Sequence, residues 1–298
     1  MKKMRKAIHL LLVVTLTLGL AWTPQCAADT VFAAEEKPVS GTFGELNWEL
    51  TKDETSDWDL AQGTPYRLTL TGSGEMKGGV VPWSVYRATI TSVSIAEGIT
   101  TVGNNAFYQC VSLRSITIPD SVTKIGGDAF KGCTLLENVN FGNSVEEIGL
   151  CAFENCISLK SIAIPDSVTI IGGSAFKSCR ALATFVCGAG LKEIGSFAFN
   201  DTGISEICFQ DGLEVVGDNA FYNSGLKTIS LPPTVTYLGR MAFADTSLSE
   251  LTIPESVTEI GGGILYNVNT LKRILVEENN PVFFVQDGAL YEQKGDHP

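Results

Sequence analysis

The chain has 298 residues, of which 44% are hydrophobic and 18% charged, and it carries a net charge of −12. That apolar content excludes an intrinsically disordered chain, and the acidic balance excludes a surface that holds nucleic acid or anionic lipid by charge. Its length allows one long domain or two small ones.

The first element is a targeting signal. Lys2, Lys3, Arg5 and Lys6 form a basic start, and Ala7 to Leu20 is an apolar run. Val31-Phe32-Ala33 then offers small residues to a signal peptidase. Residues 1–33 are therefore expected to be a signal peptide cleaved after Ala33, with cleavage after Ala28 as the alternative. A membrane anchor fits less well, because the run is short for a span. Thr23-Pro24-Gln25 before Cys26 is a poor lipobox. Cleavage removes those four basic residues and one acid, Asp29, leaving 17 basic and 32 acidic residues and a net charge of −15. No second apolar run of spanning length is present, so no membrane insertion is expected after cleavage.

Residues 34–88 differ in composition from the rest of the mature chain. Trp48, Trp58 and Trp83 occur only here, beside the alternating Arg67-Leu68-Thr69-Leu70-Thr71. Alternation of this kind is a strand signature. The segment is expected to be a small β-rich cap, since the first rung of a stacked fold exposes apolar edges. A separate sugar-binding domain using exposed tryptophans is the alternative.

From residue 89 to 298 one pattern dominates. Ala-Phe recurs at Ala106, Ala129, Ala152, Ala175, Ala198, Ala220 and Ala242, in steps of 23, 23, 23, 23, 22 and 22 residues. One more step lands on Ile264-Leu265. Such a period means a solenoid. Each unit begins with a frame like Leu113-x-x-Ile116-x-Ile118, whose alternation predicts a strand with one face inward. An earlier copy is Ile90/Val93/Ile95. Pro119, Pro165, Pro232 and Pro254 end several of these strands, as a residue without an N–H should. A second apolar pair comes next, as in Val122/Ile125 and Val145/Ile148. Then Gly126, Gly149, Gly172, Gly195, Gly217, Gly239 and Gly261 recur, which reads as a turn tolerating unusual backbone angles. Phe is expected to fill the core and Ala to permit close approach. Nine rungs about 4.8 Å apart would give a rod on the order of 40 Å long.

The string Leu-x-x-Ile-x-Ile-Pro-x-Ser-Val-Thr-x-Ile-Gly-x-x-Ala-Phe-x-x-Cys, carried nearly throughout by residues 113–133 and 159–179, resembles the BspA-like leucine-rich repeat. The likeness covers about residues 90–291. Asn279-Asn280-Pro281 with Asp287 to Tyr291 resembles a variant unit common after such repeats, and residues 40–88 resemble the family's lead-in. The resemblance implies a leucine-rich-repeat, right-handed β-rich solenoid with a small β-rich N-terminal cap. It also implies a secreted or cell-surface bacterial protein, with adhesion to host matrix or to other cells as the function implicated for several members.

Cys110, Cys133, Cys156 and Cys179 each stand three residues after the Phe, in one ladder that continues as Thr202, Ser224 and Thr246. Rung spacing overlaps the separation a disulfide accepts. The replacement by small hydroxyl residues instead favours a reduced, buried ladder bonded to turn backbone. Four thiols in a row are no tetrahedron, so no zinc site is expected. Cys187 is expected in the core and Cys208 exposed, while Cys151 is undecided.

No catalytic site is expected. The mature chain has one histidine, His297, and nucleophilic catalysis needs an oriented base. Glu146-Glu147 and Glu277-Glu278 read as solvated surface. No cofactor, metal or nucleic acid is called for. The expected function is a monomeric extracellular binding or adhesion module for a protein or glycan, with a structural envelope component as the alternative. The candidate face is a column of outward strand positions: Ser115, Asn138, Ser161, Thr184, Glu206, Thr228, Glu250 and Arg273. Thr117, Asn140, Ala163, Val186, Cys208, Ser230, Thr252 and Leu275 form the parallel column.

Overall fold

Each repeat makes one coil, and the coils stack so that equivalent residues lie directly over one another. The computed structural model describes residues 39–55 and 63–293. They fall in a compact unit spanning Pro38–Pro298; the other unit, Met1–Lys37, lies outside the described residues, as do Trp58 and His297.

The chain enters through β1 (Val39–Phe43), β2 (Leu46–Lys52) and β3 (Tyr66–Gly72), an antiparallel meander. A short β4 (Gly74–Glu75) comes next. A 3-10 turn at Pro82–Tyr86 leads to β5 (Ile90–Ile95) and β6 (Ile99–Val102). β3 pairs in parallel with β5, and β4 with β6, so the lead-in supplies a false first rung to each side of the solenoid.

Two strand series then alternate. The longer frame forms strands such as Ser115–Thr117, each with a buried centre between two exposed residues in most rungs. The second apolar pair forms two-residue strands such as Lys124–Ile125. The continuous sheet is this second one: nine parallel strands hydrogen-bonded in order from Glu259–Ile260 back to β4. The Ser115 series is divided into separate two-stranded ladders. The candidate face therefore stands on paired strands and not on one continuous sheet. Alternation within a rung reports which way side chains point. Pairing between rungs is set by backbone spacing, which has no residue signal.

The core runs down the middle. Phe107, Phe130, Phe153, Phe176, Phe199, Phe221 and Phe243 are fully buried. Their rings stack at centroid distances of 5.0–5.9 Å, with the central pair Phe153–Phe176 only 3° from parallel. Trp83 caps the column 6.4 Å from Phe107. It also completes the backbone pattern. In each rung the Phe N–H donates to the carbonyl at the Ala position of the next, as Phe107 does to Ala129 at 2.8 Å and Phe243 does to Ile264, which stands in for Ala. No rung precedes Ala106, and its carbonyl accepts from the Trp83 indole N–H, also at 2.8 Å. Trp48 lies buried beside Trp83. Neither ring is open to a sugar, which removes both from the alternative of exposed stacking platforms.

The recurring glycine has a different cause from the one its residue type suggests. None of Gly126, Gly149, Gly172, Gly195, Gly217, Gly239 and Gly261 has a positive φ. The left-handed residue comes two places later, at Asp128, Cys151, Ser174, Phe197, Asn219 and Met241, with φ between 52° and 61°. The glycine is required by close approach: a Cβ on Gly149 would lie 2.8 Å from the Ile125 carbonyl oxygen and 2.9 Å from the Gly126 carbonyl carbon.

Candidate functional site

The candidate face is built by repetition. Each outward residue stands on a strand whose centre, such as Ile116 or Ile162, is anchored in the core, so its neighbours on either side must face solvent. The register places Ser115 opposite Asn138, Ser161 opposite Thr184, Glu206 opposite Thr228 and Glu250 opposite Arg273. Seven of the eight are exposed and Glu250 is half-buried. The second column is in the same register, and Val186 and Leu275 are its large exposed apolar members.

Charge is graded along this face. The first four rungs present only hydroxyl and amide groups in the main column. At the far end the Arg273 guanidinium bonds the Glu250 carboxylate, so that pair neutralises itself. One feature is not apparent from the sequence. The residue just before each strand forms a third column, containing Arg114, Lys160, Lys227 and Lys272, all exposed. Arg114 is paired with Glu137 at 3.5 Å, whereas the three lysines have no ion-pair partner among the described residues. An acidic protein thus carries a basic edge beside its candidate face. The signal was present at a fixed offset in the repeat, but charge read residue by residue does not reveal it.

The cysteine ladder is reduced and inward. Cys110, Cys133, Cys156 and Cys179 are buried, and all seven described cysteines are free. Cys133, Cys156 and Cys179 donate to the Phe carbonyl of the preceding rung at 3.1–3.2 Å. Thr202 and Thr246 donate instead to the Phe carbonyl of their own rung. Burial pushes the Cys110 thiol up to about 12, with Arg87 opposing it. Such a thiol is protonated and inert at neutral pH. Cys208 is exposed, and Cys187 is half-buried rather than fully enclosed.

Asp128, Cys151 and Glu154 lie close enough to share an ion. Lys131 already serves them, with Nζ 3.2 Å from Asp128 and 2.9 Å from Glu154. Burial and the neighbouring Glu154 push the Cys151 thiol up to about 11. The group reads as an ion-paired turn. Glu147 pairs with Lys124 at 2.8 Å, and Glu277 accepts from the Glu255 N–H. Glu146 and Glu278 are exposed.

Comparison with known proteins adds the family. No curated protein matches the chain. A leucine-rich cell-surface protein of Faecalibacterium prausnitzii A2-165 has a similar fold, with a TM-score of 0.52 and 24% identity over 81% of this chain and 77% of that one. A leucine-rich repeat protein of Bacteroides ovatus ATCC 8483 aligns with a TM-score of 0.47 and 23% identity, over 76% of this chain and 69% of that one. The profile described as the BspA type leucine-rich repeat region matches in six copies, over residues 84–200 and 192–293. With most of its length in that profile and the Ala-Phe stack at its core, the chain belongs to the BspA-type leucine-rich-repeat family.

Proposed function

We propose that the protein is a secreted or surface-held recognition module that binds an extended protein or glycan through the face running from Ser115 to Arg273, and that it performs no chemistry. The observation that carries this reading is the register: a solvent-facing column of polar residues and a mixed polar and apolar column beside it, flanked by Lys160, Lys227 and Lys272 with no ion-pair partner among the described residues, repeat at rung spacing. A regularly ruled, shallow surface suits an extended partner. Export rests on the basic-apolar start of the sequence and agrees with the surface location named for the Faecalibacterium protein. Catalysis needs an oriented base beside a nucleophile, and neither column of the Ser115–Arg273 face contains a histidine.

The test is a screen of the purified protein against matrix proteins and glycans, followed by the double variant Asn138→Trp with Thr184→Trp. Both positions point to solvent, so the fold should survive, while two bulky rings interrupt the flat face. At least a tenfold loss of binding is expected, with circular dichroism as the folding control. Undiminished binding by the folded variant would place the site elsewhere. A screen in which nothing binds saturably would favour a structural role in the envelope.

A further inference from the structure

The lead-in replaces only part of the coil that the first rung lacks. On later rungs three carbonyls of the Ala-Phe turn accept from the rung before: Gly127, Ala129 and Lys131 accept from Asn105, Phe107 and Gln109. Their equivalents on the first rung are the carbonyls of Asn104, Ala106 and Tyr108. The Gly79 N–H bonds the first at 3.2 Å and the Trp83 indole N–H the second at 2.8 Å. The Tyr108 carbonyl accepts from no donor among the described residues. The cysteine ladder is one partner short at the same place. Cys133 donates to the Phe107 carbonyl of the rung before, whereas the Cys110 thiol has no acceptor among the described residues.

A cavity of about 320 Å³ lies here, between the Gly79–Arg87 segment and the first Ala-Phe turn, and Tyr108 and Cys110 both line it. Its apolar wall is Val81, Trp83 and Ala106, all buried, with the exposed Val80 beside them. Arg87 is the one charged side chain in the lining. It is half-buried and held in place twice: its Nε donates to the Ser84 carbonyl at 2.7 Å, and its guanidinium stands over the Tyr108 ring, 6.0 Å from the centroid. Its charge reaches the Cys110 sulfur. Arg67, Arg114, Arg180 and Arg273 each pair with a carboxylate, but Arg87 has no such partner among the described residues.

Charge, wall and size together select the occupant. A half-buried guanidinium without a counter-ion matches one carboxylate, which it binds through paired N–H groups. The wall beside it calls for an apolar body. The volume stands at the lower end of ligand cavities, about 300–1,000 Å³, which suits a small molecule or the end of a chain rather than a broad macromolecular surface. We propose that the cavity between the lead-in and the first rung binds a small carboxylate with an apolar body. Its carboxylate would rest on the Arg87 guanidinium and its body against Val81, Trp83 and Ala106. A hydroxyl or N–H group on the same ligand would find the open Tyr108 carbonyl. The site is separate from the Ser115–Arg273 face and does not depend on it.

The probe is hexanoate, titrated into the purified full chain by calorimetry and followed by the indole N–H resonance of Trp83. Saturable binding at one site is expected, with a shift of that resonance. Hexanamide, which keeps the body and loses the charge, should bind at least tenfold more weakly, and so should acetate, which keeps the charge and loses the body. Arg87→Gln should lower hexanoate affinity at least tenfold, while Arg240→Gln, an exposed arginine far along the solenoid, should leave it unchanged. Circular dichroism checks that Arg87→Gln folds. Should it not, the comparison of hexanoate with hexanamide on the unchanged protein still decides. Acetyl-Ala-Ala-Leu with a free carboxylate distinguishes the source: binding tighter than that of hexanoate assigns the site to peptide ends, and weaker binding assigns it to free acids. Equal binding of hexanamide, undiminished binding by the folded Arg87→Gln variant, or no saturable binding of either carboxylate would overturn the proposal.

Discussion

At the scale of single residues, the recurring glycine is dictated by what lies over it. Alanine at position 149 would press a methyl group into the backbone of the preceding rung, at 2.8–2.9 Å from Ile125 and Gly126. A backbone cannot yield as a side chain can. Gly149→Ala is expected to cost about 1–3 kcal/mol, the range for overpacking. Gly262→Ala, where a Cβ meets nothing within 4 Å, should be neutral. Thermal melts of the two variants check this, and equal shifts would refute the close-approach explanation. Thiols obey the same logic of burial. Cys208 should react first with a maleimide in the native protein, because its side chain points off the sheet. Cys110, Cys133, Cys156 and Cys179 should label only on unfolding, since all four are buried and burial raises the first three thiols well above their ordinary range. Mass spectrometry after a short exposure reads the order. A ladder thiol labelled before Cys208 would contradict it.

At the scale of the repeat element, the Phe stack is what neighbouring coils share. Phe153 sits 5.0 Å from Phe130 and 5.4 Å from Phe176, with Phe141 edge-on at 6.0 Å. Phe153→Ala would open a cavity in a column with no loop free to collapse inward. A loss of about 3–5 kcal/mol is expected in chemical denaturation, the range for Phe truncation in a core. Ser161→Ala, on the exposed face, is the control, and a loss no larger than its own would rule out the stack as the main source of cohesion. The repeat also explains its own change of period. Units of 23 residues place three steps between the ladder cysteine and the next Leu, as from Cys110 to Leu113. Those of 22 place two, as from Thr202 to Ile204. The hydroxyl then bonds within its own rung, while the thiol reaches back to the previous one. Ser224 is the exception, its buried hydroxyl bonding to nothing described.

At the scale of the whole described unit, stability is carried from rung to rung, so damage at one end should stay there. Asn280 is the clamp of the C-terminal hairpin. Its amide nitrogen donates to Pro254 and Val257 carbonyls, and its oxygen accepts from the Val282 and Phe283 N–H groups. Asn280→Ala leaves those groups unpaired at a local cost of about 1–3 kcal/mol. Amide exchange should accelerate over residues 271–292 and stay unchanged over 139–194. Uniform acceleration would mean that the solenoid opens as one cooperative body.

The repeat period, the inward frame, the Phe core and the reduced ladder could all be read from the chain, because each arises from a side-chain pattern multiplied many times. The exposure of Ser115, Asn138 and their column came from the same alternation. Three features needed the tertiary structure. The Lys124 series, and not the Ser115 series, is the continuous sheet, since ladder bonding depends on backbone spacing. The glycines answer to backbone contact between rungs and the left-handed turn falls on Asp128 or Phe197, because the fold sets φ where the coil must bend. The Trp83 indole N–H takes the place of a missing backbone N–H, because only stacking reveals which hydrogen bonds lack a neighbour.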